Sequence, residues 1–285
     1  MKVRRFRLFD PNPDLLNYFN GTQAIFTIAI GTLDRDIEKL AMDPNFAKAW
    51  VSTNIVRYPR VKFNYIVVGN EMIPTNVSKY VLQAMINMNT AVKQSGLPQS
   101  IKVTTVVAMG VLGVSYPPSA AFLAKPGFPL FLNVYPYFAY ASNPSKIRLD
   151  YALFNTTDVV VQDGNLQYKN LFYAMVDSMI WAVEKEGGAN VEIVVSETGW
   201  PSAGNAAVAT VEHAKMYINN MITTLMKSGT PKRPEHAMRT HIFAMFNEDK
   251  KAEGVERNFG IYRPDLAEVY HVNWPPTASC DIGNQ

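Results

Sequence analysis

Residues 65–72 read YIVVGNEM. Tyr65, Ile66, Val67 and Val68 are strong strand formers, and the run is continuously apolar rather than alternating, as in a strand covered on both faces. It then ends on a glycine, an amide and a carboxylate: Gly69, Asn70 and Glu71. Residues 191–202, VEIVVSETGWPS, repeat the arrangement with Glu197. A covered strand has reason to deliver a charge where it opens toward solvent or a ligand. In parallel α/β folds that place is the carboxyl end of the strand.

Outward from these two stretches the pattern recurs. Candidate strands occupy 3–9, 24–30, 65–71, 102–108, 130–136, 191–197 and 241–248. Between them lie segments of helical period. Tyr80, Val81, Ala84, Met85, Met88 and Val92 make one apolar stripe that Gly96 can end. Leu171, Phe172, Met175, Val176, Met179, Ile180 and Val183 make a second, and a third runs from about Val208 to Met226. Strand–helix alternation over 285 residues predicts a parallel α/β architecture, either an open sheet or a barrel. No GxGxxG or GxxxxGK[ST] follows a strand, so nucleotide-binding open sheets lose their main support. The length suits a (β/α)8 TIM barrel of about 250 residues in a single domain, 1–285. Seven strands are legible rather than eight, with an insertion at roughly 137–168. Within it DVVVQDGNLQY reads as a hairpin turning at Asp163–Gly164.

The chain is 48% hydrophobic, enough for a large core, and its net charge is only +3. Its basic residues are scattered, which excludes the clustered footprint of a nucleic-acid binder. No apolar run is long enough to span a bilayer, and no apolar leader precedes Asp10. The lone Cys280 excludes an internal disulfide and a cysteine zinc site, and the four histidines show no ligand spacing. No metal or cofactor is therefore expected. Sequons at Asn20, Asn76 and Asn155 matter only in a secreted protein.

Glu71, Glu197 and Glu248 each close a candidate strand, beside Asn70, Ser196 and Asn247 respectively. A single glutamate there is usually the start of a solvated loop, but three with amide or hydroxyl neighbours fit that account less well. Two carboxylates converging on one pocket are the equipment of glycoside hydrolysis, about 5–5.5 Å apart in the retaining version. NVYPYFAY (133–140) places Tyr135, Tyr137, Phe138 and Tyr140 just past a strand end, and Trp200 follows Glu197. Such rings stack against sugars. Core packing is expected of Tyr135 more than of Tyr137 or Phe138.

VGNE (68–71), SETGWPSAG (196–204), NVYPYFAY (133–140) and FAMFNEDKK (243–251) resemble the plant β-1,3-glucanases of glycoside hydrolase family 17. RLFDPN (7–12), NLFYAMVD (170–177) and RNFGIYRPD (257–265) do so as well, in family order over nearly the whole chain. The resemblance implies a (β/α)8 barrel with a long cleft and endo-hydrolysis of β-1,3-glucan (callose, fungal wall glucan or laminarin) with retention. It implies Glu71 as acid/base, Glu197 as nucleophile and Asn70 as the partner of either the sugar 2-hydroxyl or the nucleophile. Glu248, Lys251 and Glu256 would lie beside the cleft, and Tyr137 and Phe138 on its wall, with Trp200 a further sugar contact. It also implies a monomer of the extracellular space, cell wall or vacuole. The alternatives are a 1,3-1,4-β-glucanase on the same scaffold and a catalytically impaired glucan-binding wall protein. Family strand order makes Glu71 the end of a fourth strand, yet only two candidates precede it. One βα unit, on the order of 30 residues, is thus expected to be missing, at a cost in stability and turnover.

Overall fold

Seven strands form one sheet in the hydrogen-bonded order β1-β2-β3-β4-β5-β8-β9. They are β1 (Arg5–Leu8), β2 (Thr27–Gly31), β3 (Lys62–Asn70), β4 (Lys102–Ala108), β5 (Leu130–Asn133), β8 (Ile193–Thr198) and β9 (Thr240–Ile242); β6 (Val161–Asp163) and β7 (Leu166–Tyr168) form a separate ribbon. The helices are α1 (Pro13–Gly21), α2 (Ile37–Met42), α3 (Pro44–Val51), α4 (Ser78–Gln94), α5 (Ser119–Ala124), α6 (Pro136–Ser142), α7 (Leu149–Ala152), α8 (Leu171–Lys185) and α9 (Val211–Leu225). This is a computed structural model, and it describes residues 5–24, 26–97, 100–113, 119–124 and 127–275. Cys280 and the start of the 3–9 candidate strand lie outside those residues. The chain forms two compact units, residues 1–132 with 182–193, and 133–181 with 194–285. It passes between them inside β5, inside α8 and inside β8, so neither unit is one contiguous segment.

In the first unit β1, β2, β3 and β4 pair parallel in sequence. Ile28, Ile30, Ile66, Val68 and Val103 are fully buried, as the continuous apolar runs require. The predicted stripe of α4 is its buried face: Val81, Ala84, Met85, Met88 and Val92. Gly96 follows with φ +70°, the left-handed conformation that glycine supplies after a helix. Asn87, also buried, donates from Nδ2 to the carbonyls of Leu40 and Ala41 and so satisfies the end of α2. Helices α1 to α3 are absent from the sequence-based reading. The signals of α1 and α3 were Asn12–Pro13 and Asp43–Pro44, a side-chain cap followed by a first-turn proline, and both caps form.

In the second unit α9 buries Ala214, Tyr217, Ile218, Met221, Ile222 and Leu225, and Thr210 caps it by accepting the His213 N–H. The insertion folds as α6, α7 and the hairpin. Its turn is Gly164–Asn165, one residue later than predicted, with Asp163 paired to Leu166 and Gly164 at φ +55°. Two predicted strands are shorter than expected. β5 stops at Asn133 because Pro136 opens α6. β9 stops at Ile242, and the following segment bonds instead to residues 257–262, through Asn247 N–H to Tyr262 O and Glu248 N–H to Arg257 O. Glu248 therefore does not end a strand.

Candidate active site

At the end of β3 the chain turns sharply. Gly69 has φ +76°, and a Cβ there would lie 2.7 Å from Ile37 Cδ1, so only glycine fits. Glu71, one residue past the strand, also adopts positive φ, +58°, which is uncommon for a residue with a side chain. Its N–H still donates to Val106 O at 3.1 Å, and its side chain is exposed. The strand register shifts between Val67 and Asn70, an irregularity of the kind that re-aims side chains at functional strand ends. Asn70 is held from two directions. Arg7 Nη2 donates to its Oδ1 at 2.7 Å, and its own N–H donates to Asp34 Oδ1 at 2.9 Å. Arg7 in turn lies over the Phe9 ring, 4.4 Å from its centroid.

On β8, Glu197 is only 7% exposed, and three successive residues of the β5 segment hold it. Asn133 Nδ2 donates to Oε1 at 3.0 Å, Tyr135 Oη donates to Oε2 at 2.8 Å, and the Val134 N–H donates to the backbone carbonyl at 2.9 Å. The Ser196 hydroxyl donates to Asn133 Oδ1 at 2.6 Å, which fixes the amide with its NH2 toward the carboxylate. The Tyr135 ring is set edge-on against Phe138, Phe243 and Phe259, with centroids 5.4, 6.3 and 5.6 Å away. Neutral donors on both oxygens hold the carboxylate in one orientation, the condition for a positioned nucleophile.

After β9, Lys251 Nζ is 2.7 Å from Glu248 Oε2 and 3.9 Å from Glu256 Oε2, and it lies over Phe243 at 4.9 Å. Glu248, Lys251 and Glu256 thus form one charged cluster on that segment. Phe138 is 42% exposed.

Two predicted sugar contacts are corrected. Trp200 is fully buried, donates from Nε1 to Val208 O at 2.9 Å and packs on Tyr217. Tyr137 is 2% exposed and meets Trp200 edge-on at 5.2 Å. Burial also pushes the Tyr137 hydroxyl pKa up. Both rings build the floor of the local core rather than a surface for sugar. Sequence reasoning missed Asn133 and Tyr135 as partners of Glu197. The signal was their spacing of two at the end of a strand, which points both side chains the same way. Among the described residues no group of three or more His, Cys, Asp or Glu is placed to hold a metal ion.

Parallel strands alternating with helices, with a clasped, mostly buried glutamate at the carboxyl end of one of them, are the framework of a barrel-type glycoside hydrolase. The chain belongs to glycoside hydrolase family 17, whose model, described as glycosyl hydrolases family 17, matches residues 1–274. It is 43% identical to a glucan endo-1,3-beta-glucosidase of Vitis vinifera, over 95% of this chain and 84% of the relative. It is 40% identical to the basic vacuolar isoform of Nicotiana plumbaginifolia, over 98% and 80%. Among solved structures it matches one of two plant beta-glucan endohydrolases with distinct substrate specificities, with TM-score 0.89 and 40% identity over 95% and 92% of the chains. A beta-1,3-glucanase and allergen of Cryptomeria japonica pollen matches with TM-score 0.87, 40% identity and 95% and 90% coverage. The fold is the family's (β/α)8 type, with seven sheet strands among the described residues.

Proposed function

We propose that this chain hydrolyses internal β-1,3-glucosidic bonds of β-1,3-glucan with retention of configuration. The observation that carries the reading is the clasp on Glu197, a carboxylate oriented by Asn133 and Tyr135 at the end of a parallel strand. The names of the 40–44% identical relatives, glucan endo-1,3-beta-glucosidases, supply the linkage.

In the first step Glu197 attacks the anomeric carbon while Glu71 donates its proton to the departing oxygen. In the second, Glu71 takes a proton from water, which displaces Glu197 from the glycosyl ester. Asn70, held by Arg7, would bind the 2-hydroxyl, a contact that strengthens as positive charge develops on the ring. The cluster of Lys251, Glu248 and Glu256 sets the charge along the substrate path, and Phe138 stacks on a sugar. The two units act as one catalytic domain and the protein works as a monomer. Its working place is the extracellular space, cell wall or vacuole, in line with the vacuolar relative. Among the described residues no helix is long and apolar enough to cross a membrane.

The test is reducing-end release from laminarin, with the first-formed anomer followed by NMR, for the parent chain and Glu197→Gln. Early β-anomer from the parent and a folded but silent variant are expected. A variant that keeps the parent rate, or an early α-anomer, would overturn the assignment. Mixed-linkage 1,3-1,4-glucan, assayed in parallel, is expected to be cleaved more slowly than laminarin.

A further inference from the structure

The proposed reaction leaves three sequons without a role, and the fold treats them differently. Asn20 lies in the last turn of α1, and its Oδ1 accepts the Arg60 backbone N–H at 3.0 Å. Asn76 sits in the turn before α4, and the Ser78 hydroxyl of its sequon is bonded to the Met72 and Thr75 carbonyls. Asn155 is exposed on the loop after α7, and its side-chain amide makes no hydrogen bond among the described residues.

That loop is held in a fixed bend. Phe154 has φ +54°, an uncommon conformation for a residue with a side chain. Its ring is packed against Phe172 at 5.6 Å and Tyr217 at 5.5 Å, which keeps the bend in place. The bend is a left-handed helix C-cap, closed by the Asn155 N–H donating to Asp150 O at 2.7 Å, and it fixes the backbone of Asn155 at the end of α7. Here residues 154–158 form one wall of an open depression of about 440 Å³, whose lining includes Arg148, Asp150, Phe154, Thr156, Asp158 and Asn220. The polar groups are preset: Arg148 forks onto Asp150 at 3.0 and 2.6 Å and reaches Asp158 at 3.2 Å. Fixed carboxylates, a guanidinium and an aromatic ring suit the hydroxyls, acetamide and C–H face of an N-acetylhexosamine. Asn155 itself stands on the lining of this depression.

We propose that Asn155 is an N-glycosylation site and that the first N-acetylglucosamine is seated in this depression. The Asn155 Nδ2 attacks the anomeric carbon of a lipid-diphosphate-linked oligosaccharide and loses one proton to the transferase. The C–N bond forms as the C–O bond to the diphosphate breaks, and the lipid diphosphate leaves with that electron pair. The proposal needs passage through a compartment that holds this donor and is independent of the hydrolase reading.

The test is secretion of the full chain from a yeast host behind a cleavable leader, with Asn20→Gln and Asn76→Gln present so that only the Asn155 sequon remains. The intact mass should exceed that of the polypeptide by one glycan. Thr157→Ala should abolish the excess and Thr156→Ala should keep it. A secreted, folded chain with Asn155 bare overturns the site. The seat is read from the rate at which peptide N-glycosidase releases the glycan. Release from native protein should be several-fold slower than from denatured protein, and the double variant Arg148→Ala, Asp158→Ala should narrow the gap. A gap that this variant leaves unchanged overturns the seat.

Discussion

Replacing Tyr135 by Phe removes one hydroxyl and leaves the ring where it is. That hydroxyl donates to Glu197 Oε2 at 2.8 Å, and the ring is braced by Phe138, Phe243 and Phe259. A hydrogen bond to a charged acceptor contributes about 1.5–3 kcal/mol. At about 1.4 kcal/mol per tenfold in rate, loss of orientation on that scale predicts a roughly ten- to hundredfold fall in kcat/KM on laminarin. Stability should fall by no more than about 1.5–3 kcal/mol, because no apolar volume is lost. Asn133→Ala should cost a similar factor, and the double variant less than the product, since both donors serve one carboxylate. The assay is initial-rate kinetics of the four proteins, with thermal melts alongside. If Tyr135→Phe stays within about threefold of the parent, the clasp does not position the nucleophile and the argument from Glu197 fails.

Gly204→Ala should destabilise the second unit. Gly204 has φ +95°, and its Cβ would lie 2.4 Å from Gly254 C and 2.5 Å from Val255 N, both backbone. Backbone strain and overpacking together suggest about 2–5 kcal/mol; a loss below about 1 kcal/mol in urea unfolding would contradict the contact. Trp200→Ala should cost about 3–5 kcal/mol as a core truncation, whereas Phe138→Ala should chiefly raise KM for laminarin; the reverse pattern in melts and kinetics would restore Trp200 as a sugar contact. Asp177 is fully buried, accepting Tyr168 Oη at 3.1 Å and the Lys232 N–H at 2.9 Å, and desolvation pushes its pKa above the usual 3.8. The folded state therefore holds that proton more tightly than the unfolded chain. Its stabilisation is complete below the unfolded value and is lost as pH rises through the folded one. The melting temperature of the parent minus that of Asp177→Asn should accordingly fall as pH increases from about 4; a constant difference would refute the coupling.

The elements legible in the sequence were those whose pattern is set by burial alone. β3 reads as an apolar run over Tyr65–Val68 and β4 as a β-branched one over Val103–Val107, both buried, and α4 and α9 keep one buried stripe over four turns. The short helices α1 to α3 carry too few turns for periodicity to rise above noise; α1 and α3 declare themselves only through their caps, and α2 has no side-chain cap. FAMFNE reads as a strand because it is apolar, but strand formation depends on a partner, and residues 257–262 take up its hydrogen bonds. Among the site residues, the positions of Glu71 and Glu197 follow from where their strands end. The parity of the aromatics does not. Asn133 and Tyr135 obey the period of a strand, but Pro136 starts a helix, and from there Tyr137 turns inward to Trp200 while Phe138 faces out. Nothing local to NVYPYF announces which ring reaches a residue 62 positions away.

The chain's division between its two units bears on how it is made. Residues 182–193 complete the unit that residues 1–132 begin, and they leave the ribosome only after the whole of 133–181 has been synthesised. Leu130 of β5 cannot donate its N–H to Glu192 until then. The amino-terminal half must wait, with its sheet unfinished and its apolar strands partly uncovered, for a segment encoded some fifty residues later. Contacts of such long sequence separation form slowly and leave incomplete chains prone to aggregation. Release of the nascent chain anywhere between residues 132 and 193 should therefore yield a product that chaperones retain, whereas release beyond the carboxyl end of β9 should not.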